Sequence, residues 1–412
     1  MGAAAVLMVF VLAACTPHAP AVTDTAAATT PAPLAYLEST LRPWGPGALA
    51  ITDAASSRFA VYDSALVALV LLRSGKRDEA GRVLVGLAAV QTADGALPFS
   101  FTAPGPAATR YVRCGAVAWV GYAAAEYLDA EAGGRDREVA LGIARKAAAY
   151  LLARRVRAAN DPRDGLIRGG EGNLRYAVTA SAIREIVEPA DLAWVSVEHN
   201  VDAYFFLRAL ARATGEDAYA EAADDLGQAL SARAWRADAG QLARGLDADG
   251  VDLLVALDCA SWGSVFLRAI GDPARATISL ATADRRFLSR DPRTGARGHL
   301  PYATGPLFED AQLQQHYTRE LPADTWDRLS AVWPEGSAGV ALAALRAGEP
   351  ERARSILDAL EPLRLRAGAL PTFTVDVPFT FDTQASIAGT AWVELVRYEL
   401  ARGPDHPTLW VP

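Results

Sequence analysis

Apolar residues along the chain fall into blocks with a helical spacing, and the blocks come in pairs. Within a pair, one apolar pattern stops at Gly, a polar pair follows, and a second pattern begins. The turn reads Gly-x-x-x-x-Ala at Gly75, Gly215, Gly271 and Gly348, with a weaker copy at Gly134. Gly ends a helix well because it enters the left-handed region at little steric cost. Pro273 and Pro350 stand where a first helical turn accepts proline. Each copy therefore predicts an αα-hairpin. The predicted pairs are 61–74 with 78–91, 114–130 with 135–156, 197–214 with 217–234, 259–270 with 273–287 and 336–347 with 350–363. A short helix over 34–41 and a last one over 385–402 bring the total to twelve.

The connections alternate in length. Those within pairs are short, whereas 92–113, 157–196, 235–258, 288–334 and 364–384 are long. Long loops in compact domains carry function. The leading helix of each pair is more apolar and aromatic, as in Ala116-Val117-Ala118-Trp119 and Ala203-Tyr204-Phe205-Phe206. The second helices carry more charge. Helices apolar all round belong inside and amphipathic ones outside. The prediction is an all-α fold, an (α/α)6 toroid of about twelve helices, with the first helix as outer partner of the last. The long loops then gather at one end, beside the starts of the inner helices.

Polar residues cluster at those starts: Tyr62-Asp63, Glu198-His199-Asn200 with Asp202, Asp258 with Trp262, and Trp333-Pro334-Glu335, with Trp392 in the last inner helix. A carboxylate at a helix start is expected in any case, because it caps free N–H groups and complements the dipole. The combination says more. Glu198, His199 and Asp202 lie within about one helical turn. Carboxylates beside aromatic faces suit saccharides: rings pack on aromatic planes, and an acid and a base flank the glycosidic bond. The candidate catalytic carboxyls are Glu198, Asp258, Glu335 and Asp63, in that order. The candidate binding residues are His199, Asn200, Asp202, Tyr62, Trp262, Trp333 and Trp392. Trp194, His299, Tyr302, His316 and Tyr317 lie in long loops and are candidates to line the same cleft.

With Tyr62-Asp63-Ser64-Ala65, Gln91-Thr92-Ala93-Asp94-Gly95, Glu198-His199-Asn200, Asp258 and Trp333-Pro334-Glu335-Gly336-Ser337, residues 34–402 resemble the six-hairpin glycosidase superfamily. The resemblance implies a glycoside hydrolase acting on an oligo- or polysaccharide by an inverting, two-carboxylate mechanism. Similar folds also include polysaccharide lyases and sugar epimerases, in which His199 would be the base. A non-catalytic carbohydrate-binding envelope protein is the third alternative.

Charge and composition narrow the partners. The formal net charge of -8 argues against nucleic acid. No Gly-x-Ser-x-Gly elbow, phosphate loop or dinucleotide fingerprint occurs. No cofactor and no metal are expected; the Asp247, Asp249 and Asp252 stretch reads as a turn. Cys114 and Cys259 read as buried free thiols. At the N-terminus an apolar run, 3–14, ends in Leu12-Ala13-Ala14-Cys15, which resembles a bacterial lipoprotein lipobox. The expected organisation is a signal peptide over 1–15 with Cys15 lipidated, an Ala/Thr/Pro-rich tether over 16–33, the barrel over 34–402 and a tail over 403–412. That places the protein in the cell envelope, held to the membrane by its lipid alone; the other reading is a secreted or periplasmic protein.

Overall fold

The computed structural model describes residues 33–411, apart from 54–56, 131–134, 179–182, 318–319 and 404–405. The signal peptide, Cys15 and the tether lie outside the described residues. The helices are α1 (Pro33–Ser39), α2 (Val61–Arg73), α3 (Arg77–Val90), α4 (Cys114–Ala130), α5 (Arg135–Leu152), α6 (Val197–Thr214), α7 (Asp217–Arg233), α8 (Leu257–Ala269), α9 (Pro273–Phe287), α10 (Ala311–Tyr317), α11 (Pro334–Arg346), α12 (Pro350–Asp358) and α13 (Ile387–Arg402). Six of them close a ring: α2 packs on α4, α4 on α6, α6 on α8, α8 on α11, α11 on α13, and α13 back on α2. Outside each lies its sequence neighbour, and α1 covers α13. The fold is an (α/α)6 toroid.

The hairpin turns follow the chemistry of glycine. Gly75, Gly215, Gly271 and Gly348 all have φ between 70° and 81°. The inner helices are buried nearly all round, as α4 and α8 show. The outer α9 and α12 keep only a stripe of buried residues. The Gln91–Gly95 motif is a packing device. Gln91 donates to the carbonyls of Ile143 and Gly95. Gly95 sits at φ 92° with the Lys146 carbonyl where a Cβ would stand, 2.0 Å away.

Three features depart from the sequence reading. The helix expected over 350–363 breaks at Asp358 into a short 3-10 turn, Glu361–Leu363. Pro362 has no N–H to donate and disfavours the helical region at Glu361, so the α-helix stops short of it. The segment before α2 and the long connections also carry strands. β1 (Leu41–Trp44), β2 (Gly47–Asp53), β3 (Arg58–Ala60) and β4 (Ser100–Thr102) form one antiparallel sheet; β5 (Val112–Arg113), β6 (Gly170–Val178) and β7 (Ile183–Leu192) form another. Loops crowded at one end of a ring must pair their backbone groups with each other. The third departure is α10 itself, inside the longest connection.

The tail is part of the core. Trp410 is 1 % exposed and stacks on Phe205 at 4.8 Å, against Trp119, Trp262 and Trp392. Charged groups at the far ends of the inner helices hold its backbone. Arg73 donates to the Thr408 carbonyl, Arg346 to that of Leu409 and Arg212 to that of Val411. The Glu399 carboxylate accepts from the N–H groups of Thr408 and Leu409. The 408–411 segment thus plugs the barrel at the end away from the long loops.

Candidate active site

A cavity of about 670 Å³ opens at the long-loop end. Its inner wall comes from the first turns of the ring helices: Tyr62 on α2, Trp119 on α4, Glu198, His199 and Asp202 on α6, and Asp258 on α8. Its rim comes from the connections, with Arg113, Trp194, Arg244 and Tyr302. The β6–β7 hairpin contributes Asn173, Leu174 and Leu192. Leu174 also lines a neighbouring cavity of about 490 Å³, and Tyr302 and Glu309 line one of about 190 Å³, so smaller cavities lie beside the main one.

Few of the wall carboxyls serve as helix caps. The residues before α2, α8 and α11 are Ala60, Ala256 and Trp333, with no capping side-chain bond, and α6 is capped by Ser196. The carboxyls instead face each other. Glu198 and Asp258 stand side by side as a coupled pair, close enough to share a proton. Burial pushes Glu198 well above the usual carboxyl range, and the charges of Asp258, Asp202 and Glu335 push it further. Asp258 is raised to about 6 by burial, opposed by the bond from Glu198. Asp202 is also raised well above its ordinary value by burial, against the Trp119 indole, which favours the charged form. Its Oδ1 has no hydrogen-bond partner, and neither has Asp258 Oδ1.

Glu335 opens α11 and joins the group through Tyr62. Tyr62 Oη donates to Glu335 Oε1 at 2.6 Å, and Trp392 Nε1 donates to Tyr62 Oη at 2.7 Å. Burial raises Glu335 to about 8, with the Tyr62 bond opposing it. The His199 ring lies flat on α4, where a Cβ on Gly115 would stand 2.3 Å from its Cδ2. Its Nδ1 has no partner. Burial first, and then the Arg113 charge, lower its pKa to about 3, so it is neutral across the physiological range.

Other expected site residues have different places. Asp63 is 6 % exposed, accepts from Thr52 Oγ1 on β2 at 2.6 Å, and lies behind the cavity wall. Asn200 is fully buried, and its amide is spent on Ile167 and on the Ser196 carbonyl. It holds the 157–196 connection to α6 and has no free polar atom for a ligand. Trp262 stacks on Trp392 at 5.0 Å beneath the cavity. Trp392 reaches the site only through Tyr62. Trp333 is 8 % exposed, packs on Phe381 and is not on the cavity wall. His299 is buried against Ser337, and His316 packs on Tyr317. Cys114 and Cys259 are buried free thiols, and burial pushes the Cys114 thiol up to about 12. Asp252 pairs with Arg244, and among the described residues no group of three or more His, Cys, Asp or Glu is arranged for a metal ion.

Sequence reasoning passed over Trp119, Arg113 and Arg244. Trp119 reads as one more apolar residue of an inner helix, although it stands about one turn inside the start of α4, as Asp202 does on α6. The two arginines lie in loops whose path no local pattern gives.

By sequence, no family model and no curated protein matches the chain. Among solved structures it is similar to a glycosidase, with 15% identity over 90% of this chain and 95% of that one and a TM-score of 0.60. It is also similar to a D-mannose isomerase, with 12% identity, the same coverage and a TM-score of 0.60. A bacterial glucoamylase complexed with acarbose matches at 14% identity over 86% of this chain and 50% of that one, with a TM-score of 0.54. The fold of this chain is thus the (α/α)6 toroid seen in these carbohydrate-active enzymes.

Proposed function

We propose that the protein is a glycoside hydrolase acting on an oligo- or polysaccharide. The observation that carries this is the convergence of Glu198, Asp202 and Asp258, from two inner helices, on the wall of one aromatic-lined cavity, with Glu335 of a third joined to that wall through Tyr62. Glu198 is the general acid. Burial and the neighbouring carboxylates favour its protonated form, and Asp258 beside it is the partner for that proton. Two carboxyls sharing a hydrogen bond leave no room for a sugar and a water between them. Asp258 is therefore not the base across the bond. We assign that role to Glu335, which stands behind the wall and meets it through Tyr62, the residue that favours its charged form. In the reaction the Glu198 proton goes to the leaving oxygen as the glycosidic C–O bond breaks. Water attacks the anomeric carbon from the opposite face and gives its proton to Glu335. The outcome is inversion.

The likenesses to a glycosidase and a glucoamylase support this reading. Glu198→Gln should lower kcat by about 10²–10⁴-fold on a cleaved oligosaccharide, the range of general-acid loss. Fresh product followed by NMR should show the inverted anomer. Full activity in that variant, or a retained anomer, overturns the assignment. A second reading rests on His199, whose unpartnered Nδ1 and neutral ring would suit proton transfer at a sugar carbon, and on the likeness to a D-mannose isomerase. Deuterium uptake from solvent into a free hexose separates it from hydrolysis. We further propose, from Leu12-Ala13-Ala14-Cys15, that Cys15 is lipidated and holds the protein in the cell envelope. Cys15→Ala should release it from the membrane fraction, and unchanged association refutes this.

A further inference from the structure

The charge of the cavity carries more than the reaction. Six carboxylic side chains line it: Glu198, Asp202, Asp247, Asp252, Asp258 and Glu309. Only two cationic side chains do so among the described residues, Arg113 and Arg244. Both are already engaged. Arg113 Nη1 donates to the carbonyls of Val112, Glu171 and Gly172, and the guanidinium lies over the Tyr111 ring at 4.5 Å. Arg244 is paired with Asp252 and Glu309. Arg244 is thus committed to protein carboxylates and Arg113 is anchored through one of its nitrogens, so the carboxyls of the wall outnumber its cations.

Helix starts are the other usual source of positive potential. Here the first N–H of each wall helix is taken by protein. Cys114 N donates to the Gly169 carbonyl, Val197 N to that of Arg244, and Leu257 N to that of Pro301. What the wall does offer is acceptors. Asp202 is 3 % exposed, lines the cavity and has an unpartnered Oδ1, and Asp258 Oδ1 is unpartnered beside it. A buried acceptor without a donor is costly, so the ligand that completes this wall brings donors.

We infer that the cavity takes sugar units that carry no negative charge, either neutral or bearing a protonated amine, and turns away uronic acids and sulfated sugars. Asp202 takes part through its unpartnered Oδ1, which accepts from a ligand hydroxyl or ammonium group whether or not the carboxyl is charged. The inference rests on the hydrolase reading only in taking the ligand to be a saccharide. It also removes the substrate that a polysaccharide lyase needs, since such enzymes act next to a uronate carboxyl.

The test uses matched oligosaccharides that differ in charge alone. Oligomers of mannose, glucose and galactose are compared with those of mannuronate, glucuronate and galacturonate, and glucosamine oligomers are added. Binding to the wild-type protein at pH 7 is followed by calorimetry, and cleavage by product analysis. The expected result is binding confined to neutral or amino sugars, with the uronate partner of any bound oligomer at least tenfold weaker. Asp202→Asn should narrow the tenfold gap between the binder and its uronate partner. An oligouronate that binds as tightly as its neutral counterpart overturns the inference. The two readings fail separately. Cleavage of an oligouronate without an unsaturated product sinks the charge argument and leaves hydrolysis standing, whereas a neutral oligomer bound but never cleaved does the reverse.

Discussion

Tyr62→Phe tests the site at its most specific contact. The substitution keeps the ring and removes the hydroxyl that donates to Glu335 Oε1 at 2.6 Å. A hydrogen bond to a charged group contributes about 1.5–3 kcal/mol. One pH unit corresponds to about 1.4 kcal/mol, so the bond is equivalent to about one to two pH units. The hydroxyl favours the charged form of Glu335, so its loss raises a carboxyl already at about 8. A base must be ionised to act. The ascending limb of kcat/KM against pH should therefore stand near 8 in the wild type and move up in the variant. At pH 7 the variant should be slower by about 10- to 100-fold, and it should regain activity toward alkaline pH. The same change leaves Trp392 Nε1, which donates to Tyr62 Oη at 2.7 Å, without an acceptor. An orphaned buried donor costs about 1–3 kcal/mol in unfolding experiments. The two effects are separable, because only the first depends on pH in the activity assay. A variant that loses stability while its limb stays in place would show that Tyr62 is a prop of the core and that Glu335 is not the base.

Three further outcomes follow from the geometry. Asp63 is raised from 3.8 to about 6 by burial, so the folded state holds its proton more tightly than the unfolded chain. The stability this provides is complete below about pH 4 and lost as pH rises through 6, a difference of about 3 kcal/mol at most. Urea melts of Asp63→Asn, which does not titrate, should gain on the wild type by up to that amount between pH 4 and pH 8; parallel curves refute it. Gly115→Ala puts a methyl where the His199 ring lies, so it should cost about 1–3 kcal/mol and shift the His199 proton resonances; an unmoved ring refutes the contact. Trp410→Ala empties the plug and should cost about 3–5 kcal/mol in denaturant unfolding; a change under about 1 kcal/mol would mean the tail is not seated as described.

The ring was legible because its signals are local. Gly215 ends α6 in the left-handed region, Pro273 begins α9, and apolar residues run along the inner helices; each needs only neighbours in sequence. Part of the site was legible for the same reason, since residues at inner-helix starts point toward one end of the ring, as Glu198, His199, Asp202 and Asp258 do. The misplaced residues are those whose partners come from elsewhere. Asn200 is consumed by a backbone segment over thirty positions earlier, at Ile167. Asp63 is drawn back by Thr52, on a hairpin that resembles a loop in sequence. Trp262 and Trp392 have the composition of a sugar platform, but they stack on each other because a six-helix ring leaves an axis that large rings must fill. Trp410 was invisible for the same reason: nothing near Leu409 and Trp410 signals that this segment turns back into the barrel.

The plug changes what the barrel is as an object. A ring of six helices has two openings, and among the described residues the 408–411 segment fills one of them. Substrate and products are thereby directed to the long-loop end. The order of manufacture is affected too. The segment that seats Trp410 against Phe205 follows α13, and α13 must itself pack on α2 to complete the ring. During synthesis the inner faces of α2, α4 and α6 therefore wait, without their final cover, for residues made roughly two to three hundred positions later. A chain stopped shortly before residue 408 would retain every helix and still lack the piece that closes its centre.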